Sequence, residues 1–390
     1  MIGELQHYAG REQAYVKHFL LSDYLETFAH KIASGFAEIC YVDGFSGPWQ
    51  NAGERFEDTS FGIALGALTR AKATWRALGR EVRMSAHLIE KDGRAYRNLR
   101  AVKAQFPEIE IVTHHGSFID LAPDLLHAIS AHAFAFVFVD PKGWRIDMTR
   151  LAPLLRRPNS ELVFNFMFDF INRAASIQTP EVKRGLHELI PNSAWRDQLA
   201  TPPPPGLTEA EYRKRVLVEA FSSELGRLGD YRFVAETTVL RPTRDRPLYC
   251  LVYGTRSPIG LKVFRESQIK ALRQQDLIRG RTKLTTSAAA TGQNELFGSL
   301  SEMAPDPTTV FFDAELEQAE QLMKAVTPSA PDSAPWGRIW PQVMERYVVS
   351  HAQLNQLAGK LHRQGIFWCA DWGDRKRVPD DGYRLLRPQT

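Results

Sequence analysis

Apolar residues in this chain come in two rhythms, and their alternation sets the expected architecture. Compact apolar runs, rich in β-branched and aromatic side chains, predict buried strands. They fall at residues 39–42, 84–89, 109–112, 134–139 and 161–166. Between several of them apolar residues recur at helical spacing, which predicts amphipathic helices. The first helix covers about 11–34 and carries Tyr15, Phe19, Leu20, Tyr24, Leu25 and Phe28; others are expected near 93–105, 121–131 and 148–155. Strand, helix, strand in this order predicts crossover connections and a mostly parallel sheet. A helical insertion is expected over about 175–230, with a stiff proline run at 202–205 inside it. Two further strands, 232–240 and 248–253, flank a basic, proline-bearing loop and are expected to close the sheet with an antiparallel edge.

The pattern then changes. A helix is predicted over 255–275, and two stretches rich in small residues, Ser, Thr and Pro, 285–308 and 327–335, read as linkers. Past them, 336–347 predicts a helix. Ser350 is a good N-cap for a second helix over 351–364, with Leu354, Leu357, Ala358 and Leu361 on one face. Segments 366–370 and 382–386 read as a hairpin. Two helices followed by a two-stranded wing predict a winged helix. The expected organisation is therefore an α/β domain over 1–284, a linker with a helix over 285–335, and a winged helix over 336–390.

Composition narrows this. At 390 residues and 44% hydrophobic content, two or three domains with a sizeable core are expected. The longest apolar runs are too short to span a bilayer, and the first residues lack a secretory pattern, so a cytoplasmic protein with no membrane contact is expected. Cys40, Cys250 and Cys369 lie far apart, which argues against a disulfide framework or a cysteine zinc site. Net charge is only +4, yet the segment 336–390 holds nine Lys/Arg against five Asp/Glu and so carries all of the excess. That favours nucleic acid as a partner of the tail, through Lys360 and Arg363 on its second helix and Arg375, Lys376 and Arg377 at the wing; a protein-protein module of the same shape is the alternative.

Candidate chemistry gathers where strands end. Open α/β sheets bind ligands at the carboxyl ends of their strands, and Asp43-Gly44-Phe45-Ser46-Gly47 follows the first strand. Its glycines would let the backbone approach a nucleotide-type cofactor, with Asp43, Phe45 and Gly47 as contacts; the bland reading is an Asp-Gly turn. Full G-x-G-x-x-G spacing is absent, which disfavours a dinucleotide and suits S-adenosylmethionine. Glu90, after the second strand, suits the two ribose hydroxyls; Asp92 is a weaker stand-in. Ser117 and Phe118, with Asp120 nearby, follow the third strand and suit an adenine, or else a helix cap and a core ring. After the fourth strand comes Asp140-Pro141-Lys142-Gly143-Trp144. Methyl transfer to an exocyclic base amine needs an acceptor that holds the amine in line and an aromatic that stacks on the base. Asp140, the Pro141 carbonyl and Trp144 are suited to these roles, with Lys142 near a phosphate or a carboxylate; the bland reading is a strand-ending turn with a buried Trp. Asn165 and Asp169, after the fifth strand, are placed to line the same cleft. His114-His115 reads as a solvated strand end, and no metal ligand set is expected there.

With these residues in place, the chain resembles the three-Cys-motif partner family. The resemblance rests on Lys17-His18-Phe19-Leu20 with Tyr24-Leu25, the loop from Tyr41 to Pro48, Glu90, Asp140-Pro141-Lys142-Gly143, the strand 248–253 with Gly260-Leu261, and the tail. It implies a Rossmann-like class I methyltransferase fold, and a partner protein that carries the three cysteines for which the family is named. The Asp-Pro-x-Gly form is also similar to enzymes that dimethylate a tRNA guanine amine. Two positions depart from the pattern: Trp49 stands where a glycine commonly ends the first loop, and Lys142 replaces a second proline. Three functions are therefore open. One is an S-adenosylmethionine-dependent methyltransferase acting on nucleic acid; another is a non-catalytic nucleic-acid-binding partner of a radical-type enzyme. The third is a nuclease with Asp43, Glu90 and Asp140 around a metal.

Overall fold

The computed structural model describes residues 2–47, 56–291, 307–373 and 377–388, with the side chains of 283–291 excepted. Trp49, Arg375 and Lys376 lie outside the described residues. Two compact units emerge, Met1–Ser257 and Pro258–Thr390.

The first unit is built on seven strands: β1 (Glu38–Asp43), β2 (Arg83–Glu90), β3 (Glu110–His115), β4 (Phe134–Val139), β5 (Ser160–Phe166), β6 (Phe233–Leu240) and β7 (Pro247–Thr255). They lie in the order β3-β2-β1-β4-β5-β7-β6. The first five run parallel. The last strand is the antiparallel one; it slots between β5 and β6, so β6 runs parallel to the rest. The antiparallel element is thus interior, and the edge strand on that side is β6. Its alternating burial fits an edge, whereas β4 and β5 are buried almost throughout, as parallel strands covered on both faces must be.

Helices cover the two faces. On one side α1 (Glu12–Gly35) packs beside α2 (Ser60–Ala77), over Tyr41 and Phe136. Leu21, Leu25, Phe28 and Ala29 recur on the buried stripe of α1, as its spacing dictates. Helix α2 follows the loop after β1; Thr59 caps it by accepting from Gly62 N. Helix α3 (Gly93–Leu99), capped by Asp92, links β2 to β3. On the other side α4 (Phe118–Ala128) and α5 (Met148–Leu155) pack over Cys40, Val42, Val137 and Val139. The segment after β5 is helical as expected: α6 (Phe168–Ala174), α7 (Pro180–Leu189), α8 (Ala194–Leu199) and α9 (Glu209–Gly229). Helix α9 is more than an insertion. It is the crossover from β5 to β6, and Phe221 packs against Phe164 and Phe166, ring centres 4.7 Å apart in each pair.

The second unit begins with α10 (Pro258–Thr291), which extends well past the expected 255–275 and belongs here, whereas the sequence carried the first domain to 284. Then come α11 (Pro307–Val326), β8 (Ala334–Pro335), α12 (Trp336–Arg346), α13 (His351–Arg363) and β9 (Arg384–Leu385). Strands β8 and β9 pair antiparallel, and Trp368 bonds both ways to Leu386 at 2.8 and 3.0 Å. Ser350 and Gln353 form a reciprocal cap on α13. Arg265 donates to the carbonyls of Met344 and Glu345 at 2.7 Å, closing the last turn of α12. Among the described residues, no helix is long and apolar enough to cross a membrane.

Candidate functional site

The sheet reverses its order between β1 and β4, because β2 and β3 lie to one side of β1 and everything later to the other. At such a switch point the loops after neighbouring strands part and leave a crevice. Asp43, the last residue of β1, is in register with Phe138 of β4, so Asp140 follows two residues beyond on the adjacent strand. Gly44 N extends the ladder by donating to the Phe138 carbonyl at 3.0 Å. The acids at the ends of β1 and β4 are therefore neighbours on one rim.

Their surroundings differ. Asp43 is completely buried. Its Oδ2 accepts from the Tyr41 hydroxyl at 3.0 Å and the Ser60 hydroxyl at 2.7 Å, and its Oδ1 from Phe45 N at 3.0 Å. Burial pushes its pKa up to about 6 against the pull of these three donors. With its oxygens so occupied, Asp43 shapes the loop. Ser46 N donates to the Ile89 carbonyl at 2.8 Å, tying that loop to β2. Phe118 is buried under Gly44, edge-on to Phe45 at 6.0 Å. A Cβ on Gly44 would lie 2.8 Å from that ring, so the close approach demands glycine. Phe118 is thus a core ring at the crevice floor. Ser117 precedes α4 without a side-chain capping bond. Asp120 is exposed and pairs with Arg150 at 2.9 Å.

Glu90 ends β2 and is nearly buried; its Oε1 accepts from Asp92 N at 2.6 Å. Asp140 is partly open, its side chain 21% exposed. Lys17 of α1 forms an ion pair with its Oδ2, and Asn165 of β5 donates to its Oδ1 at 2.6 Å. Asn165 Oδ1 is buried and meets no donor among the described residues; such an orphan costs about 1–3 kcal/mol and calls for an explanation where it occurs. Lys142 is exposed and Pro141 buried. Trp144 turns toward the insertion, where a Cβ on Gly185 would come within 2.9 Å of its ring.

Two groups were hard to see in the sequence. Tyr41 shares a strand face with Asp43 by the two-residue period, a signal that was available. Lys17 lies three and four residues from buried Leu20 and Leu21, so a lysine on an apolar stripe was the clue. The solvated reading of His114 is corrected: its Nε2 lies 2.9 Å from Nδ1 of His87, and the rings stack. Burial holds His87 down to about 4 and lowers His114, so the pair is neutral at physiological pH. Among the described residues no cluster of three or more His, Cys, Asp or Glu groups is arranged to hold a metal ion. The trio of Asp43, Glu90 and Asp140, which the nuclease alternative would require, is no exception, with an ammonium already on Asp140.

No family model matches the chain, and no curated protein matches its sequence. Among solved structures it is similar to a loganic acid methyltransferase with SAH, at 8% identity and a TM-score of 0.28, over 72% of this chain and 91% of that one. So loose a likeness decides nothing; the strand order does. The sheet is Rossmann-like. Five parallel strands, the reversal at β1, and a helical layer on either face set that class independently of any relative.

In the second unit, α13 leaves Lys360 and Arg363 exposed, and Arg377 is exposed beyond it. Lys360 also reaches Glu320 of α11 at 3.6 Å.

Proposed function

We propose that this chain is an S-adenosylmethionine-dependent methyltransferase acting on nucleic acid, with an exocyclic base amine as the acceptor. The observation that carries this reading is the pairing of the Asp43 loop and Asp140 at the switch point of the sheet. The donor set suits the cofactor. Glu90 offers a carboxylate to ribose hydroxyls, the Asp43–Gly47 loop offers backbone, and Ser117 stands at the adenine end. Bound there, S-adenosylmethionine supplies a methyl group made electrophilic by its sulfonium. The chain's own residues do the rest. Asp140 holds the acceptor amine, and the Pro141 carbonyl beside it fixes the approach. Lys17 and Asn165 set the carboxylate's orientation. Trp144 borders the site from the insertion side.

The order of helix, short strand, two helices and a closing strand that pairs back with the first supports a winged-helix reading of the second unit. In that reading Lys360, Arg363 and Arg377 meet the phosphate backbone, and a three-Cys-motif protein is a partner. A second function is favoured by one observation: Asp140 is already engaged by Lys17. A chain that keeps the fold but uses it to hold nucleic acid for another enzyme would need no free acid there.

Calorimetry decides between them. S-adenosylmethionine should bind saturably, and Glu90→Ala should weaken it at least about tenfold, the scale of losing a charge-assisted pair. Transfer of labelled methyl to RNA or DNA should fall at least about 100-fold in Asp140→Asn with cofactor binding retained. A flat titration with wild-type protein would sink the transferase and leave the scaffold.

A further inference from the structure

The basic loop between β6 and β7 and the start of α6 build a cluster that the site above does not use. Asp169, just past β5, is 3% exposed. Three guanidiniums close on its carboxylate: Arg173 at 3.2 Å, Arg241 at 3.0 Å and Arg246 at 3.1 Å. The loop holding two of them is pinned. Arg241 N donates to the Arg246 carbonyl at 2.9 Å, Arg246 N donates to the Arg244 carbonyl at 2.8 Å, and Pro242 and Pro247 stiffen both ends. Arg213 of α9 lies alongside, donating to the Asn172 side chain at 2.9 Å, a neutral partner.

One carboxylate is well matched by one or two guanidinium forks. Four arginines, Arg173, Arg241, Arg244 and Arg246, stand against two acids here, Asp169 and Asp245 of the same loop, and the remaining positive excess suits a further anion at their outer edges. Those edges are open: the Arg173 and Arg246 side chains are 58% and 53% exposed. Arg244 is exposed at the loop tip. An aromatic completes the surface. Phe170 is 43% exposed, with the Arg173 guanidinium 4.9 Å from its ring centre. Exposed rings beside arginines form stacking platforms for unpaired bases. Because β5 and β6 run parallel, Asp169 and the loop lie on the same sheet edge as Asp140. Asn165, which donates to Asp140, is only four residues before Asp169.

We propose, resting on the transferase reading for the target base at Asp140, that this cluster docks a single-stranded nucleic acid. Arg173, Arg241 and Arg246 take its phosphates, and Phe170 stacks on an unpaired base. The surface delivers the strand to the crevice from the β6 side.

Fluorescence anisotropy of the full chain with labelled single-stranded RNA and DNA, titrated with salt, tests it. Arg241→Ala/Arg246→Ala should weaken binding at least tenfold. It should also flatten the log–log salt slope by about 1.4, at about 0.7 per single-strand phosphate contact. Phe170→Ala/Arg244→Ala, which removes neither Asp169 nor any arginine paired with it, should weaken binding several-fold and so guards against a folding artefact. The preferred strand, RNA or DNA, names the polymer. Calorimetry of the same variants with S-adenosylmethionine should be unchanged; if wild-type protein fails to bind cofactor, the transferase reading falls while the anisotropy still decides the docking surface. Unchanged affinity and slope in both variants overturn the proposal. So does loss confined to Lys360→Ala/Arg363→Ala, or competition by inorganic phosphate as effective, per charge, as by the oligonucleotide.

Discussion

Asp43 shows how burial sets a residue's behaviour. Its folded pKa of about 6 stands above the ordinary carboxyl value, so the folded state holds a proton that the unfolded chain has already lost. The resulting stability is complete below about pH 4 and is lost as pH rises through about 6. A shift of this size corresponds to about 3 kcal/mol. Asp43→Asn, which is isosteric, should remove that slope. Urea unfolding at pH 4 to 7 should show wild type losing stability relative to the variant; parallel curves would rule the assignment out. Gly44 supplies a second test. Gly44→Ala drives a methyl into Phe118 and should cost about 1–3 kcal/mol. Pairing it with Phe118→Leu should give back part of that loss, read as a double-mutant cycle in melting temperature. Lys17→Met should leave Asp140 without its cation; if Lys17 orients that acid, methyl transfer falls while cofactor affinity holds.

At the scale of elements, strands were the most legible part. Each of the five apolar runs became a parallel strand, because a buried parallel strand is apolar on both faces and advertises itself. Helix α2 (Ser60–Ala77) was not anticipated, since its small residues Gly62, Ala64, Gly66 and Ala67 blur the periodicity. The place of β7 between β5 and β6 was also out of reach; local pattern reports that a strand exists, while pairing order depends on contacts distant in sequence. The same limit applies to the candidate site. The acids at the ends of β1 and β4 could be read locally, but Lys17, 123 residues from Asp140, could not. Helix α13 offers an element-scale prediction. A Cβ on Gly359 would press into the Arg377 carbonyl, so Gly359→Ala should lower the melting temperature of the second unit, read in a thermal melt of the full chain. Ser350→Ala should cost about 1 kcal/mol through loss of the cap.

For the molecule as a whole, the cysteines are structural hydrophobes. All three are free and buried, and burial raises the thiol of Cys40 to about 11 and that of Cys250 to about 12. The native protein should therefore react negligibly with Ellman's reagent at neutral pH, and should yield three thiols once denatured; rapid native labelling would contradict this packing. The late strand β7 has a consequence during synthesis. Until residues 247–255 leave the ribosome, the outer edge of β5 is bare and β6 has no neighbour on which to register. At about 5–20 residues per second, the nascent chain carries an open, apolar template for several seconds. Any chaperone that meets this protein has its work there, before the final strand slides into place and seals the sheet.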